Sequence, residues 1–128
     1  MALFVLFAVL LFTGCKKEEE FNIRYEVTTT APMAAGGGIV TKLGRRNGEN
    51  HGVPAGESNW SKEVFTDTDY RPFDISLNAQ NLQLNAAGSV TVRIFINGEQ
   101  KAIGTTTTTD YGDNQHIANT APVQITID

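Results

Sequence analysis

Two hydrophobic patterns divide the chain. From Leu3 to Phe12 the residues are apolar without a break or a period, and from Asn22 onward apolar and polar residues alternate in short runs separated by turn signals. Alternation puts every second side chain on one face of an extended strand, so the second pattern predicts half-buried β-strands and no helix of any length. Ile23, Tyr25 and Val27 share one face of a first strand over Asn22 to Thr30. Ile39, Thr41 and Leu43 do the same for a second over Gly38 to Leu43, and Trp60, Lys62 and Val64 for a third over Asn59 to Thr66. Phe73, Ile75, Leu77 and Ala79 mark a fourth strand. Val90, Val92, Ile94 and Ile96 mark a fifth, whose regularity places it at the centre of a sheet. Glu99 to Thr107 forms a sixth, and Val123, Ile125 and Ile127 a seventh.

The connections carry their own chemistry. Asn97-Gly98 predicts a two-residue hairpin, because both residues tolerate the positive φ of a type I′ turn. Arg45 to Ser58 holds three Gly, one Pro and two Asn, the composition of a mobile loop. Asp67-Thr68-Asp69 supplies a turn, and Asn81 to Gly88 and Asp110 to Asn119 read as polar connections. Gly36-Gly37-Gly38 precedes a strand rather than a helix, so it reads as a bend and not as a phosphate cradle. Thr105 to Thr109 suits the solvated face of an edge strand. Strands with one apolar face each hide those faces by packing in two layers. The expected fold is therefore all-β, an immunoglobulin-like sandwich of about seven antiparallel strands.

Composition narrows the function. The 128 residues suffice for one domain, and the net charge of -4 offers no basic field for nucleic acid. The single cysteine, Cys15, rules out an intramolecular disulfide, and the acidic and basic residues around it read as a disordered run rather than as a positioned general base, so catalysis at Cys15 is not expected. As a helix, Leu3 to Phe12 would reach about 15 Å, half of a bilayer core of about 30 Å. A run so short, ending in small residues, reads as the apolar region of a signal peptide. Leu11-Phe12-Thr13-Gly14-Cys15 resembles the lipobox of bacterial lipoproteins, with Phe12 where Leu is usual and no Lys or Arg ahead of the apolar run. That resemblance implies a signal peptide over 1–14, an acylated Cys15 and attachment to a membrane through its lipid. Lys16-Lys17-Glu18-Glu19-Glu20 then gives a charged tether over 15–21, with the sandwich domain over 22–128. Such a leader is similar to those of lipoproteins from the Bacteroidota, some of which use it for export to the cell surface. The implied location is the bacterial cell envelope, as an outer-membrane lipoprotein that is either periplasmic or surface-exposed.

Three segments carry a second resemblance: Tyr25-Glu26-Val27-Thr28, Asn59-Trp60-Ser61-Lys62, and Gly88 through Glu99. In kind and order they resemble the small MmpS-like proteins, extracytoplasmic β-sandwiches that accompany lipid-exporting transporters. The resemblance spans nearly the whole domain, but its motifs argue fold more than function. It implies a core role for Trp60 and an envelope partner such as a transporter. The chain departs from the mycobacterial pattern in lacking a cysteine pair in the domain and a membrane helix.

Candidate chemistry is sparse. Asp110, Asp113 and His116 share one loop at three-residue spacing, where a metal would need three or four converging ligands. Asp and Asn are also what tight turns select, so hairpin chemistry is the default and no metal or other cofactor is expected. A calcium ion on Asp110 and Asp113 is the alternative that hard oxygen ligands permit. No nucleophile elbow, phosphate loop, zinc helix or paired-cysteine ribbon occurs, and no enzyme activity is expected. Two functions remain: a non-enzymatic interaction or accessory lipoprotein, expected as a monomer, and a carbohydrate- or other ligand-binding module of a surface uptake system. The second needs an exposed aromatic platform, for which Trp60, Tyr70 and Tyr111 are the candidates.

Overall fold

The structure, a computed structural model, describes residues 21–34, 39–43, 48–66 and 72–128. Cys15, the 1–14 segment, the tether as far as residue 20, Gly36-Gly37-Gly38, Asp67-Thr68-Asp69 and Tyr70 lie outside these residues. Among the described residues every regular element is a strand. In chain order they are β1 (Phe21–Thr29), β2 (Ile39–Leu43), β3 (Gly48–Gly52), β4 (Asn59–Thr66), β5 (Phe73–Gln80), β6 (Leu82–Leu84), β7 (Ser89–Ile96), β8 (Glu99–Thr107), β9 (Thr109–Asp110), β10 (His116–Ala118) and β11 (Val123–Ile127).

These strands form three antiparallel sheets. One has four strands in the order β4-β1-β7-β8, a second has four in the order β11-β5-β2-β3, and a small third has three in the order β6-β10-β9. The two large sheets pack in a sandwich-like arrangement, with β5 and β11 lying across β7 and β8. The alternation explains why. Ile23, Tyr25 and Val27 of β1 and Val90, Val92 and Ile94 of β7 turn inward and are buried against Ile75, Leu77 and Ala79 of β5 and Ile127 of β11. Each fully buried aliphatic side chain contributes about 1.5–3 kcal/mol of transfer free energy, which holds the layers together without a disulfide. The small sheet adds Leu82, Leu84 and Ala118 to the same core, and a bridge from Met33 to Leu84 ties it to the segment after β1.

Strand bounds for β1, β4, β5, β7, β8 and β11 follow the alternating pattern to within about a residue, and β7 is interior to its sheet, as its regularity predicts. Asn97 and Gly98 form the β7–β8 turn with φ of 52° and 82°, both in the left-handed region that a type I′ hairpin requires. The turn is tied further back, since Asn97 Oδ1 accepts a hydrogen bond from the Asn22 amide at 2.9 Å.

Four short strands correct the expectation of about seven. Part of the expected mobile loop, Gly48–Gly52, is β3, which pairs with β2 along its whole length. It contains no aliphatic residue, so alternation leaves no trace of it in the sequence. The two polar connections likewise contain strands. Asn81, at φ 51°, turns the chain sharply from β5 into β6, and His116–Ala118 pairs with both β6 and β9.

Candidate interaction surface

The outward face of the β4-β1-β7-β8 sheet is where the sequence breaks its own rule of apolar inside and polar outside. Register fixes its rows. Across one row Glu63, Arg24, Phe95 and Gln100 are neighbours, and across the next Ser61, Glu26, Arg93 and Ile103. Asn22 stands opposite Phe65 one row beyond. Phe65 is 63% exposed and Ile103 51% exposed, so two large apolar side chains face solvent on one surface.

Between them runs a charged and aromatic band. The Arg24 guanidinium lies 4.1 Å from the centroid of the Phe95 ring, a cation–π stack. Its Nε is 3.8 Å from Glu26 Oε2, an ion pair too long to be a hydrogen bond, and this buried Nε has no hydrogen-bond acceptor. Arg93 Nη1 donates to Thr28 Oγ1 at 2.9 Å and sits 3.5 Å from Glu26 Oε1. One carboxylate thus lies within ion-pair distance of two guanidinium groups. Further along, the Thr91 and Thr105 hydroxyls hydrogen-bond at 3.0 Å across β7 and β8. The result is a sheet face that carries aromatic rings, an aliphatic side chain and arginines in ion pairs. Aromatic residues and arginine are the types that protein interfaces concentrate.

Sequence reasoning missed Phe65, Phe95 and Ile103, although a signal was present. Val64-Phe65 and Ile94-Phe95-Ile96 are consecutive apolar residues within strands, and consecutive residues must point to opposite faces.

The expected site residues are placed differently. Asp110 and His116 are cross-strand partners in the β9–β10 hairpin, with His116 Nδ1 2.5 Å from Asp110 Oδ1. Asp113 is brought into the same hairpin but occupies its turn at φ 50°, ahead of Asn114 at 60°. The turn closes through the Tyr111 amide donating to the Gln115 carbonyl at 2.9 Å. Among the described residues no three His, Cys, Asp or Glu side chains converge on a point that could hold a metal ion.

The aromatic candidates part ways. Trp60 is half-buried and packs against the core from the inward face of β4, opposite Val27. Its ring lies 5.2 Å from that of His51 in β3, so the pair closes the flank where the edges of the two large sheets meet. Tyr111, by contrast, is 62% exposed, directly after Asp110 in the chain. The chain matches no protein-family model and no curated protein sequence.

Proposed function

We infer that this chain is a non-enzymatic lipoprotein of the bacterial cell envelope, held to a membrane by lipid on Cys15 and acting as an interaction or accessory module. The observation that carries the reading is the outward face of the β4-β1-β7-β8 sheet, where Phe65 and Ile103 are exposed on either side of the Arg24–Phe95 stack. A rigid strand framework holds these groups in place, so a partner meets a surface already organised and loses little conformational freedom of the protein on binding. The lipobox-like sequence before Cys15 supports the envelope location, and the resemblance to MmpS-like proteins supports a transport or export system as the partner.

An immunoglobulin-like sandwich is the fold reading that accompanies it, in the broad sense of two packed antiparallel sheets joined by crossovers. The strand order departs from that of constant-type domains: β1 is interior, between β4 and β7, where their first strand is an edge, β2 lies in the opposite sheet from β1, the second large sheet has four strands where theirs has three, and a small third sheet is added.

A second reading, a carbohydrate-binding module, is favoured by one observation. Tyr111 is an exposed aromatic side chain directly after Asp110, which pairs with His116, and an exposed ring is the platform on which a sugar face stacks. Titration with soluble envelope and dietary polysaccharides tests it, and Tyr111→Ala should abolish any binding found.

The main reading is tested first at its anchor. Metabolic labelling with a palmitate analogue should mark the wild-type chain and not Cys15→Ala, and only the wild type should stay with membranes. Equal labelling and retention of the two would remove the lipoprotein. A photo-crosslinker at position 65 then tests the surface.

A further inference from the structure

The two large sheets end in four edges, and the edges are not alike. β3 and β4 flank one side of the sandwich, and β8 and β11 the other. Gly104 of β8 backs so closely onto β11 that a Cβ there would come within 2.8 Å of Val123 Cγ1. Unpaired strand edges present a row of backbone donors and acceptors that another strand can use. Native proteins blunt such edges with charges, bulges or proline.

β4 is blunted. Lys62 shares the inward face with the buried Tyr25, and Glu63 is its neighbour. Pairing of β4 with its own copy must keep inward residues opposite inward ones. The two central registers then set Lys62 against Lys62 or Glu63 against Glu63, both repulsive.

β8 is protected only at its start. There a bulge between Ile94 and Phe95 of its partner β7 shifts the register, and Glu99 and Lys101 form a 3.3 Å ion pair. Beyond it Ala102-Ile103-Gly104-Thr105-Thr106-Thr107 has no charge and no proline, and among the described residues its outer edge pairs with no strand. Two of its six residues are small and three are β-branched Thr, which suits a further strand alongside.

We propose that this stretch of β8 pairs antiparallel with the same stretch of a second copy of the chain, joining two β4-β1-β7-β8 sheets into one across a two-fold axis. Charge sets β8 apart from β4 and from β3, which carries Glu49. β11 is uncharged but only five residues long and bounded by Pro122 and Asp128. Self-pairing on β8 puts no like charges opposite each other. With Gly104 on the axis Ile103 faces Thr105 of the second copy, and with Thr105 on the axis it faces Thr107. In either register the pairs within residues 102–107 are uncharged, and the Lys101 that meets Thr107 when Gly104 is on the axis faces no like charge, in contrast to β4. An isologous contact of this kind closes on itself, so it stops at two copies. The association joins folded domains and goes beyond the single-copy reading of the sequence.

Cysteine crosslinking of the full chain in a Gram-negative host tests the pairing, with the parent chain as control for Cys15. Opposed strand residues have Cα atoms about 4.5–5.5 Å apart, within disulfide reach. Thr105→Cys should give a disulfide-linked dimer on mild oxidation if Thr105 is on the axis. Ile103→Cys combined with Thr105→Cys should give it in the other register. Ser61→Cys, equally exposed on β4, should give at least about tenfold less dimer. Adding Ile103→Glu and Thr107→Glu to Thr105→Cys should cut a Thr105-centred dimer by at least about tenfold, while an unchanged urea midpoint shows that the fold persists. No dimer from either β8 variant, or as much from Ser61→Cys as from β8, would overturn the proposal.

Discussion

Thr120 completes the β5 ladder with its side chain as well as its backbone: its Oγ1 accepts a hydrogen bond from the buried Ala79 amide at 2.7 Å, while its own amide donates to the Ala79 carbonyl at 2.9 Å. The residue precedes β11, is itself buried, and so positions the last strand beside β5. Thr120→Val preserves shape but leaves the Ala79 amide without a partner. Such an orphaned donor costs about 1–3 kcal/mol, so urea unfolding should show a loss in that range. A change within about 0.5 kcal/mol would mean that the hydroxyl does not hold the junction.

Close approach between the layers gives a second expectation. A side chain at Gly104 must displace Val123, whose branched side chain has little rotameric freedom, so Gly104→Ala should destabilise by about 1–3 kcal/mol. Val123→Ala opens a cavity and costs stability alone. Combined, the two should cost less than their sum by at least about 0.5 kcal/mol, as contacting residues do. Strict additivity in a double-mutant cycle would contradict the contact.

Trp60 is expected to show an intermediate emission maximum and partial iodide quenching, because it is half-buried and packed on the core. Trp60→Ala should cost about 3 kcal/mol, the low end for deletion of a large aromatic. Emission like that of free indole with a negligible stability change would move the ring to the surface and strengthen the carbohydrate reading.

Much of this architecture was legible where side chains specify it. The alternation in β7 fixes both its extent and its inward face, and Asn97-Gly98 fixes the hairpin because few residue pairs accept two positive φ angles. Gly48–Gly52 was illegible because it contains no aliphatic residue to display alternation. Leu82–Leu84 was hidden by length: three residues cannot display a period. The interaction surface was half legible: Phe65 follows Val64 and Phe95 follows Ile94, so alternation sends both outward, but only the register with β1 and β7 brings them onto one surface with Arg24, Arg93 and Ile103. The pairing of Asp110 with His116 depended on β9 and β10, which the polar loop composition concealed.

The central claim is that this domain meets an envelope partner through the outward face of the β4-β1-β7-β8 sheet. A photo-crosslinking residue placed at Phe65, in the intact chain in its native cell, reports on that face directly. The same residue at Gln124, exposed on β11 in the other large sheet, is the control. A discrete adduct with a second envelope protein from position 65, reduced by Arg24→Glu and absent from position 124, is the result expected. No adduct from position 65, or the same adducts from both positions, would contradict the account.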